Sequence, residues 1–423
     1  MSIQGFYSGV SGLKAFQTAI DVTANNIANV STVGFRGYNT EFASVFEDTI
    51  KTGASGTTTG NGSNTLGLGV QAATASMNKT AGSIIISDKS TDLAIVGNGW
   101  FGVQNGKDVA YTRAGDFTFD RDSDLVTANG NYVLGTVGGN ISEAGILTNV
   151  LDEVKLGDVE GQEKLRFPKT LTYPSIPSSN TKFVGNLGTE DLPRTIGASV
   201  IDSNNNKNHL KLAFTKSIPQ VLPGTQWDVV ATTQSLDGTT LYDTKNGVVS
   251  FDSAGALISS TLTSINNNGT QVTIDLGSGY DGVTSLSNVP ISASSITDGS
   301  QGGSLVGYSV NKNAEIIATF DNGLQSSVGK IAVYHFRNEQ GLTRSSGATF
   351  SASANSGKPL FFKDSTGQSV IGTDIINFSL EASNVGLEVA LTDLIILQRA
   401  YDANSKSIST ADQMMQKALS MDA

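Results

Sequence analysis

The fold of this chain is decided by its last stretch, residues 387–418, which reads LEVALTDLIILQRAYDANSKSISTADQMMQKA. Apolar or small side chains recur there in steps of three and four, and this spacing keeps them on one side of an α-helix. The stripe consists of Leu387, Ala390, Leu394, Leu397, Tyr401, Asn404, Ile408, Ala411, Met415 and Ala418. We therefore predict a C-terminal helix over about 379–419, on the order of 60 Å long at 1.5 Å per residue.

The first residues of the chain carry a matching stripe, which consists of Phe6, Val10, Leu13, Gln17, Ile20, Ala24 and Ile27. It predicts a helix over about 4–29 that ends before Gly34, a residue suited to a positive φ. Gly9 and Gly12 each weaken this helix by about 1 kcal/mol relative to Ala, so we expect packing to stabilise it. We interpret the two stripes as a paired, coiled-coil-like region and favour contacts between copies of the chain; the alternative is an ordinary two-helix core inside one monomer.

The sequence between the helices is rich in Gly, Ser, Thr and Asn and has β-type patterning, so the predicted fold class is mainly β with α-helical termini. Residues 53–64 indicate a flexible link. The predicted strands are 83–86, 93–96, 100–103, 116–119, 132–134, 209–214, 227–232, 247–251, 271–276, 305–310, 315–320 and 330–336. Asn129-Gly130 predicts a hairpin turn before Tyr132.

Composition shifts near Phe167-Pro168 and after Gly302-Gly303 indicate nested β domains, in which an outer domain is interrupted by an inserted one. The predicted division is 1–70 plus 371–423 for the terminal helices and linker, 71–164 plus 303–370 for the core β domain, and 165–302 for the inserted domain. Nesting of this kind brings the two chain ends together, where the two helices can pair.

Composition excludes several classes of function. The chain has 423 residues, a net charge of −11, no Cys and two His. An acidic chain is a poor nucleic-acid partner, and one without Cys has no disulfide or thiolate chemistry. No apolar run reaches the length of a membrane span, and the start lacks the pattern of a cleaved signal. We expect no nucleic-acid partner, no membrane insertion and, for an exported protein, export without cleavage.

Three motifs resemble ligand-binding sites, but the residues around each of them do not fit such a site. Residues 97–102 match G-x-G-x-x-G, but a turn follows where a dinucleotide site needs a helix, so we interpret the glycines as a β-turn. Asp120, Asp122 and Asp124 alternate as in a Ca²⁺ loop, but the Gly and Glu of such a loop are missing. His209 and His335 have no second ligand at metal spacing. We therefore predict no enzyme activity, no cofactor and no catalytic or metal site.

Several segments resemble the flagellar rod and hook proteins, in that family's order. The N-terminal signature is similar over residues 24–36, ANNIANVSTVGFR, and the C-terminal one over 383–385, 398–401, Asn404 and 411–415. The core β domain is similar over 93–101, 111–117, 341–344 and 355–359. A large insert between Phe167 and Gly303 resembles the hook-type members of the family more than the rod-type members.

This resemblance implies a structural subunit that self-assembles into a curved hollow tube and transmits torque as a flexible joint, outside the cell. It implies a homopolymer whose other partners are the distal rod protein, the hook cap and the hook–filament junction protein. A distal rod or other axial protein, and a secreted β-rich adhesin, remain as alternatives. The predicted self-assembly residues are Phe6, Val10, Leu13, Ile20, Ile27, Leu387, Leu394, Leu397, Tyr401, Asn404, Ile408 and Met415, with Asn25, Asn26, Asn29, Gly34 and Phe35 shaping the turn after the first helix.

Overall fold

A computed structural model describes residues 2–45, 47–49, 65–67, 69–220 and 223–421, and within these ranges side chains are described except at 2–5, 47–49, 65–67 and 421. Two α-helices and 34 strands lie in this described part of the chain. The fold is mainly β with one helix at each end, as predicted. The predicted flexible link at 53–64 lies outside the described residues.

The helices are α1 (Ser2–Ala28) and α2 (Leu387–Met421). The prediction that the C-terminal helix starts near residue 379 was wrong, because Ser379–Glu381 is a strand paired with Ile84–Ile86. The backbone N–H of Ala390 donates to the carbonyl of Gly386 at 2.9 Å, so the first helical turn begins immediately after that glycine. Gly34 has a φ of +64°, as its sequence position predicts.

The strands before the insertion are β1 (Tyr38–Ser44), β2 (Glu47–Thr49), β3 (Thr65–Gly67), β4 (Val70–Met77), β5 (Ile84–Ile86), β6 (Leu93–Val96), β7 (Trp100–Asn105), β8 (Asp108–Thr112), β9 (Phe117–Phe119), β10 (Leu125–Thr127), β11 (Tyr132–Val137), β12 (Glu163–Lys164) and β13 (Thr172–Tyr173). A 3-10 turn, Val159–Gly161, precedes β12. The hairpin predicted at Asn129-Gly130 joins β10 to β11, with Gly130 at a φ of +78°.

The strands of the middle region are β14 (Asn180–Asn186), β15 (Arg194–Ile201), β16 (Lys207–Lys216), β17 (Thr225–Ser235), β18 (Leu241–Phe251), β19 (Leu257–Ser260), β20 (Ser264–Asn267), β21 (Thr270–Asp275), β22 (Gly277–Ser278), β23 (Asp281–Thr284) and β24 (Ser292–Thr297). They form an antiparallel meander, β15 to β19, and a second sheet ordered β20-β21-β14-β23-β22, with β24 on β14. Alternate side chains of both sheets meet in one core, which contains Phe183, Phe214, Trp227 and Phe251, so this region is a two-sheet sandwich.

The strands after the insertion are β25 (Gly303–Val310), β26 (Glu315–Phe320), β27 (Gln325–Ile331), β28 (Val333–Tyr334), β29 (Thr343–Ser346), β30 (Thr349–Ser351), β31 (Phe362–Lys363), β32 (Ser369–Val370), β33 (Asp374–Asn377) and β34 (Ser379–Glu381). A 3-10 turn, Glu339–Gly341, precedes β29. Strands from both sides of the insertion share one sheet in the order β13-β25-β26-β27-β11-β7-β8-β30-β29. One hydrophobic core joins Leu93 and Phe101 to Phe320 and Ile375, so the chain completes this body only after the insertion.

Five tight turns of the β bodies share one geometry. In each, a side-chain oxygen of the first residue accepts backbone N–H bonds from the third and fifth residues, at 2.8–3.0 Å. The first residues are Asp120, Asp202, Asp252, Asn311 and Asp364. The fourth residues have positive φ and are Ser123, Asn205, Gly255, Ala314 and Gly367. The alternating aspartates at 120–124 therefore belong to a turn in which the carboxylate of Asp120 accepts hydrogen bonds from the backbone N–H groups of Asp122 and Asp124.

Candidate assembly surface

The two helices lie against each other within one chain and run antiparallel. A Cβ placed on Gly9 would lie 2.7 Å from Ile408 Cγ1, and one on Gly12 would lie 2.6 Å from Asn404 Oδ1. The missing side chains of these two glycines therefore set the distance between the helices. The glycines that weaken α1 as an isolated helix are the residues that let α2 approach it.

Small residues are the only fully buried apolar side chains of the described part of this helix pair. Ala15, Ala19, Ala390 and Ala411 are 2–8% exposed. The large residues of the predicted stripes are half-buried, namely Phe6, Val10, Leu13, Ile20, Ile27, Leu394, Leu397, Tyr401, Ile408 and Met415, together with Asn404. Leu387 is 45% exposed. The α2 stripe thus meets α1 within the chain through Asn404 and Ile408, whereas the α1 residues that lie against it, Gly9 and Gly12, are outside the predicted α1 stripe. The large residues of both stripes retain exposed surface.

Four further exposed apolar side chains lie on the first turns of α2, on the two flanks of the predicted stripe. Val389, Leu391, Ile395 and Ile396 are 66, 44, 51 and 58% exposed. We call these four residues the outward face of α2. The sequence carried a signal for it, because the run Leu394-Ile395-Ile396-Leu397 is too wide for a single stripe and is typical of a helix covered on more than one side.

A groove of about 310 Å³ adjoins the outward face. It lies between α1, α2 and the hairpin of β1 and β4, and its lining includes Ala19, Phe42, Val389 and Ile396. The hairpin is held on α1 by Asn26, whose amide donates to the Tyr38 carbonyl at 2.7 Å and accepts from the Tyr38 N–H at 3.0 Å. The rings of Phe16 and Phe42 lie 5.5 Å apart between the same two elements.

A buried ion cluster joins the helix ends to the outer β body. Glu381 binds Arg36 Nη2 at 2.8 Å and Arg113 Nε at 2.9 Å, and its side chain is 2% exposed. Arg113 also donates to the carbonyls of Gly97 and Gly99, each at 2.6 Å. Burial lowers the pKa of both arginines from its usual value, and the Glu381 charge opposes that shift. The chain therefore uses one buried carboxylate to fix three segments that are far apart in sequence.

Amide side chains complete this junction. Asn384 accepts from the Gly37 N–H at 2.8 Å and donates to the Thr80 carbonyl at 2.8 Å. Phe35 is 1% exposed, and Arg344 lies over its ring at 4.7 Å. We call Arg36, Arg113, Glu381 and Asn384 the junction cluster.

The remaining turn residues predicted from sequence lie close to the junction cluster. Arg344 Nη1 donates to Asn25 Oδ1 at 3.1 Å. Asn29 donates to the Asn25 carbonyl at 2.9 Å, and the Gly34 N–H donates to the Glu381 carbonyl at 2.7 Å. Sequence reasoning missed Glu381, because a single glutamate in a strand gives no sign of two distant arginines.

The G-x-G-x-x-G segment and His335, which were considered as possible ligand sites in the sequence, have structural roles. Gly97 and Gly99 have positive φ, and strand β7 follows them, so the G-x-G-x-x-G segment is a turn between strands. His335 Nε2 lies 2.7 Å from the Ile371 carbonyl. No cluster of three or more His, Asp or Glu side chains suited to a metal ion occurs among the described residues. Neither described helix is long and apolar enough to cross a membrane.

Three family models match the chain, and together they define the class of axial flagellar proteins. The model for flagella basal body rod proteins matches residues 6–36, and the model for the D1 domain of the flagellar hook proteins FlgE/F/G matches 94–169. The model for the C-terminal part of the flagellar basal body rod proteins FlgEFG matches 377–421. The matched segments contain both helices and the first half of the outer β body.

Whole-length relatives narrow the class. The flagellar hook protein FlgE of Borreliella burgdorferi is 30% identical over 98% of both chains. The FlgE of Treponema pallidum is 27% identical over 99% of both chains. The FlgE of Salmonella typhimurium is 27% identical over 97% of this chain and 98% of the relative. The chain belongs to the flagellar hook protein family. It is a structural subunit of the bacterial flagellar hook, outside the cell, and it polymerises there with other flagellar components.

A solved structure shares the fold. The flagellar hook protein FlgE2 of Helicobacter pylori superposes with a TM-score of 0.52 at 16% identity, over 70% of this chain and all of that chain. This likeness confirms the mainly β architecture.

Proposed function

We propose that the chain self-assembles through its helix pair into a curved hollow tube, which acts as a flexible joint and transmits torque. The single observation that carries this proposal is the outward face of α2, where four aliphatic side chains are 44–66% exposed. An apolar surface of this kind on a protein marks an interaction site. In a hook subunit, the partner that is present at the highest local concentration is another copy of the same chain.

The half-buried stripes support the same proposal. In this reading each large stripe residue packs first on the other helix of its own chain and then on a neighbouring copy. Such contacts join different surfaces on successive copies, and contacts of this heterologous type generate open helical tubes when they do not close into a ring. The self-assembly residues predicted from the stripes then form the inner side of each contact, and the outward face of α2 forms the outer side.

The junction cluster supports a role in torque transmission. A torque that passes along the tube must pass from the helix pair to the β bodies within each subunit. Glu381 lies on β34, Arg36 follows α1 and Arg113 follows β8, so this buried cluster ties both helix ends directly to the outer body. We propose that the cluster keeps this joint stiff, while the bending of the tube occurs between subunits.

We further propose three structural units, with boundaries revised from those of the sequence. Leu165, Phe167, Leu171 and Tyr173 pack in the outer core, which moves the start of the inserted unit to about residue 174. Ile375 packs in the same core, which moves the end of the outer unit past β33. The helices with the β1–β4 hairpin form the third unit.

The finer partners follow from the family. We propose contacts with the distal rod protein at one end of the tube, and with the hook cap and the hook–filament junction protein at the other. We also propose that the chain is not an enzyme and needs no cofactor, since its buried ion cluster of Glu381, Arg36 and Arg113 serves a structural contact.

A surface substitution tests the assembly proposal. We expect the double change Ile395→Lys and Ile396→Lys to raise the critical concentration for tube formation at least about tenfold, because each contact loses apolar burial on the outward face. The matched control is Ser409→Lys, on an exposed polar part of the same helix. Electron microscopy and sedimentation of the purified chains would measure the effect, with helical circular dichroism as a check on folding. Tubes formed by the double variant at the unchanged concentration would contradict the proposal, and so would tubes that survive removal of residues 387–423.

A further inference from the structure

A second candidate contact lies on β5, away from the helix seam. This strand consists of three isoleucines, Ile84, Ile85 and Ile86, which are 41, 47 and 90% exposed. Since successive side chains of a strand point to opposite faces, these exposures mean that both faces of β5 are uncovered. Phe378, beside β5, is 44% exposed and extends the apolar surface. We call residues 83–87 together with 378–382 the isoleucine ribbon.

One backbone edge of the ribbon is open. Strand β5 pairs with β34 alone among the described strands, with Leu380 opposite Ile85. The Ser87 N–H donates to the Phe378 carbonyl, and the Ser83 carbonyl accepts from the Ala382 N–H, so residues 83, 85 and 87 point their backbone groups towards β34. By the alternation of an antiparallel ladder, Ile84 and Ile86 point theirs to the open side.

The open edge lacks the usual protection. Soluble proteins block such edges with lysines, prolines or bulges, because an open apolar edge pairs with other chains. Residues 83–87 read SIIIS and contain none of these features. The ribbon is also held rigidly, since Glu381, opposite Ile84, is the buried carboxylate of the junction cluster. A strand that is already ordered loses little conformational entropy when it pairs.

We propose that the isoleucine ribbon is a contact between copies of this chain, in which a strand of a neighbouring copy pairs with the open edge of β5. The inference rests on the proposed self-assembly and adds a site to it. Copies that each carry a net charge of −11 repel one another, so contacts between them are favoured where the surface is uncharged, and the ribbon strand is uncharged. The ribbon is also continuous with the assembly surface, because α2 begins five residues after its last residue.

The first test uses the absence of cysteine in the chain. An Ile86→Cys variant has a single thiol, at a position that is 90% exposed in the separate chain. We expect a maleimide to label this thiol at least about tenfold more slowly in isolated hooks than in the separate chain. A thiol-to-amine cross-linker in the hooks should yield dimers joined from residue 86 to a residue of the same sequence. Equal labelling rates in hooks and separate chains would overturn the inference.

The second test separates backbone pairing from apolar contact. Ile86→Pro removes the N–H that faces the open edge and leaves the N–H groups that face β34. Ile86→Val, the matched control, keeps both the N–H and a β-branched side chain. We expect the proline variant to raise the critical concentration for tubes at least about tenfold and the valine variant to leave it unchanged. If the proline variant assembles normally while the α2 double variant does not, the ribbon contact is refuted and the proposed function stands. If the unmodified chain forms no tubes under any condition and is not found in hooks, the proposed function itself is refuted.

Discussion

The middle β body and the terminal helix pair bury their apolar residues in different ways. In the middle body Phe183, Phe214, Trp227 and Phe251 are 0–1% exposed, so its core is complete within one chain. In the described part of the helix pair the most buried side chains are alanines, at 2–8% exposed, and the large side chains stay half-buried or exposed. The difference shows that the sandwich is stabilised by its own core, whereas the helices leave apolar surface uncovered, as the proposed contacts between subunits require.

The largest expected change in stability comes from cavity-forming substitutions, one in the core of the middle β body and one in the helix pair. Trp227→Ala should lower the free energy of unfolding of the middle body by about 3–5 kcal/mol, because it leaves a cavity in a closed core. Leu397→Ala, in the half-buried seam, should lower the stability of the separate chain by only about 1–2 kcal/mol. Denaturant titration would measure both. At temperatures where both variants fold, Leu397→Ala should nevertheless raise the critical concentration for assembly more than Trp227→Ala does. The reverse order would contradict the view that the middle body is closed and that the helix pair forms the contacts between subunits.

The junction between the two regions gives the next effect. Glu381→Gln should destabilise the separate chain by about 3–5 kcal/mol, because it leaves Arg36 and Arg113 buried without a counter-charge. The matched control is Glu190→Gln, since Glu190 forms an exposed ion pair with Arg194, and such pairs contribute about 0–1 kcal/mol. Thermal unfolding would compare the two variants, and equal losses would mean that the junction cluster is not a structural tie.

A change in the helix seam should have a moderate effect. Gly9→Val places a Cβ 2.7 Å from Ile408 Cγ1, so the helices must separate locally, at a cost of about 1–3 kcal/mol. Ala24→Val, at an exposed position of the same helix, is the control for a valine that meets no steric barrier. Since valine has a higher helix propensity than glycine, propensity alone would make Gly9→Val slightly stabilising. The helical circular dichroism signal during unfolding would report both variants. A Gly9→Val chain as stable as the control would show that the helices do not depend on this close approach.

The outer β body should also respond to pH through His335. Burial lowers the pKa of His335 below its usual value of 6.5, although its hydrogen bond to the Ile371 carbonyl opposes the shift. Below about pH 6.5 the unfolded chain then binds a proton more readily than the folded one, so stability falls as the pH decreases. The His335→Gln variant keeps a donor for Ile371 and should lose less stability between pH 7.5 and pH 5. Parallel stability curves for the two chains would disprove the assignment.

The smallest effect concerns one turn of the outer body. Ser123 has a φ of +63°, which glycine adopts without strain, so Ser123→Gly should stabilise the chain by about 0.5–1 kcal/mol. Arg121→Gly, in the same turn but with negative φ, should destabilise it by about 0.5–1 kcal/mol. Differential scanning calorimetry would resolve the two signs, and a shift of the same sign in both would refute the explanation.

Several elements could be predicted because their signals are local. The three-and-four spacing predicted α1 within two residues at its start and one at its end, and short β-type runs bounded by turn residues located strands such as β6 and β26. Gly34 was predicted because a helix end favours a residue with positive φ. The start of α2 was wrong by eight residues, since β34 forms only where β5 lies beside it, and that pairing joins segments almost 300 residues apart.

The sequence by itself determined the mainly β class, the two terminal helices and the family, because periodicity and short signatures are properties of neighbouring residues. The tertiary structure alone decided that Glu381 neutralises two distant arginines, that Gly9 and Gly12 admit α2, and that the outward face of α2 and the open edge of β5 stay uncovered. Burial and charge pairing depend on which distant segments meet in space, and in a nested chain those meetings cannot be inferred from local pattern.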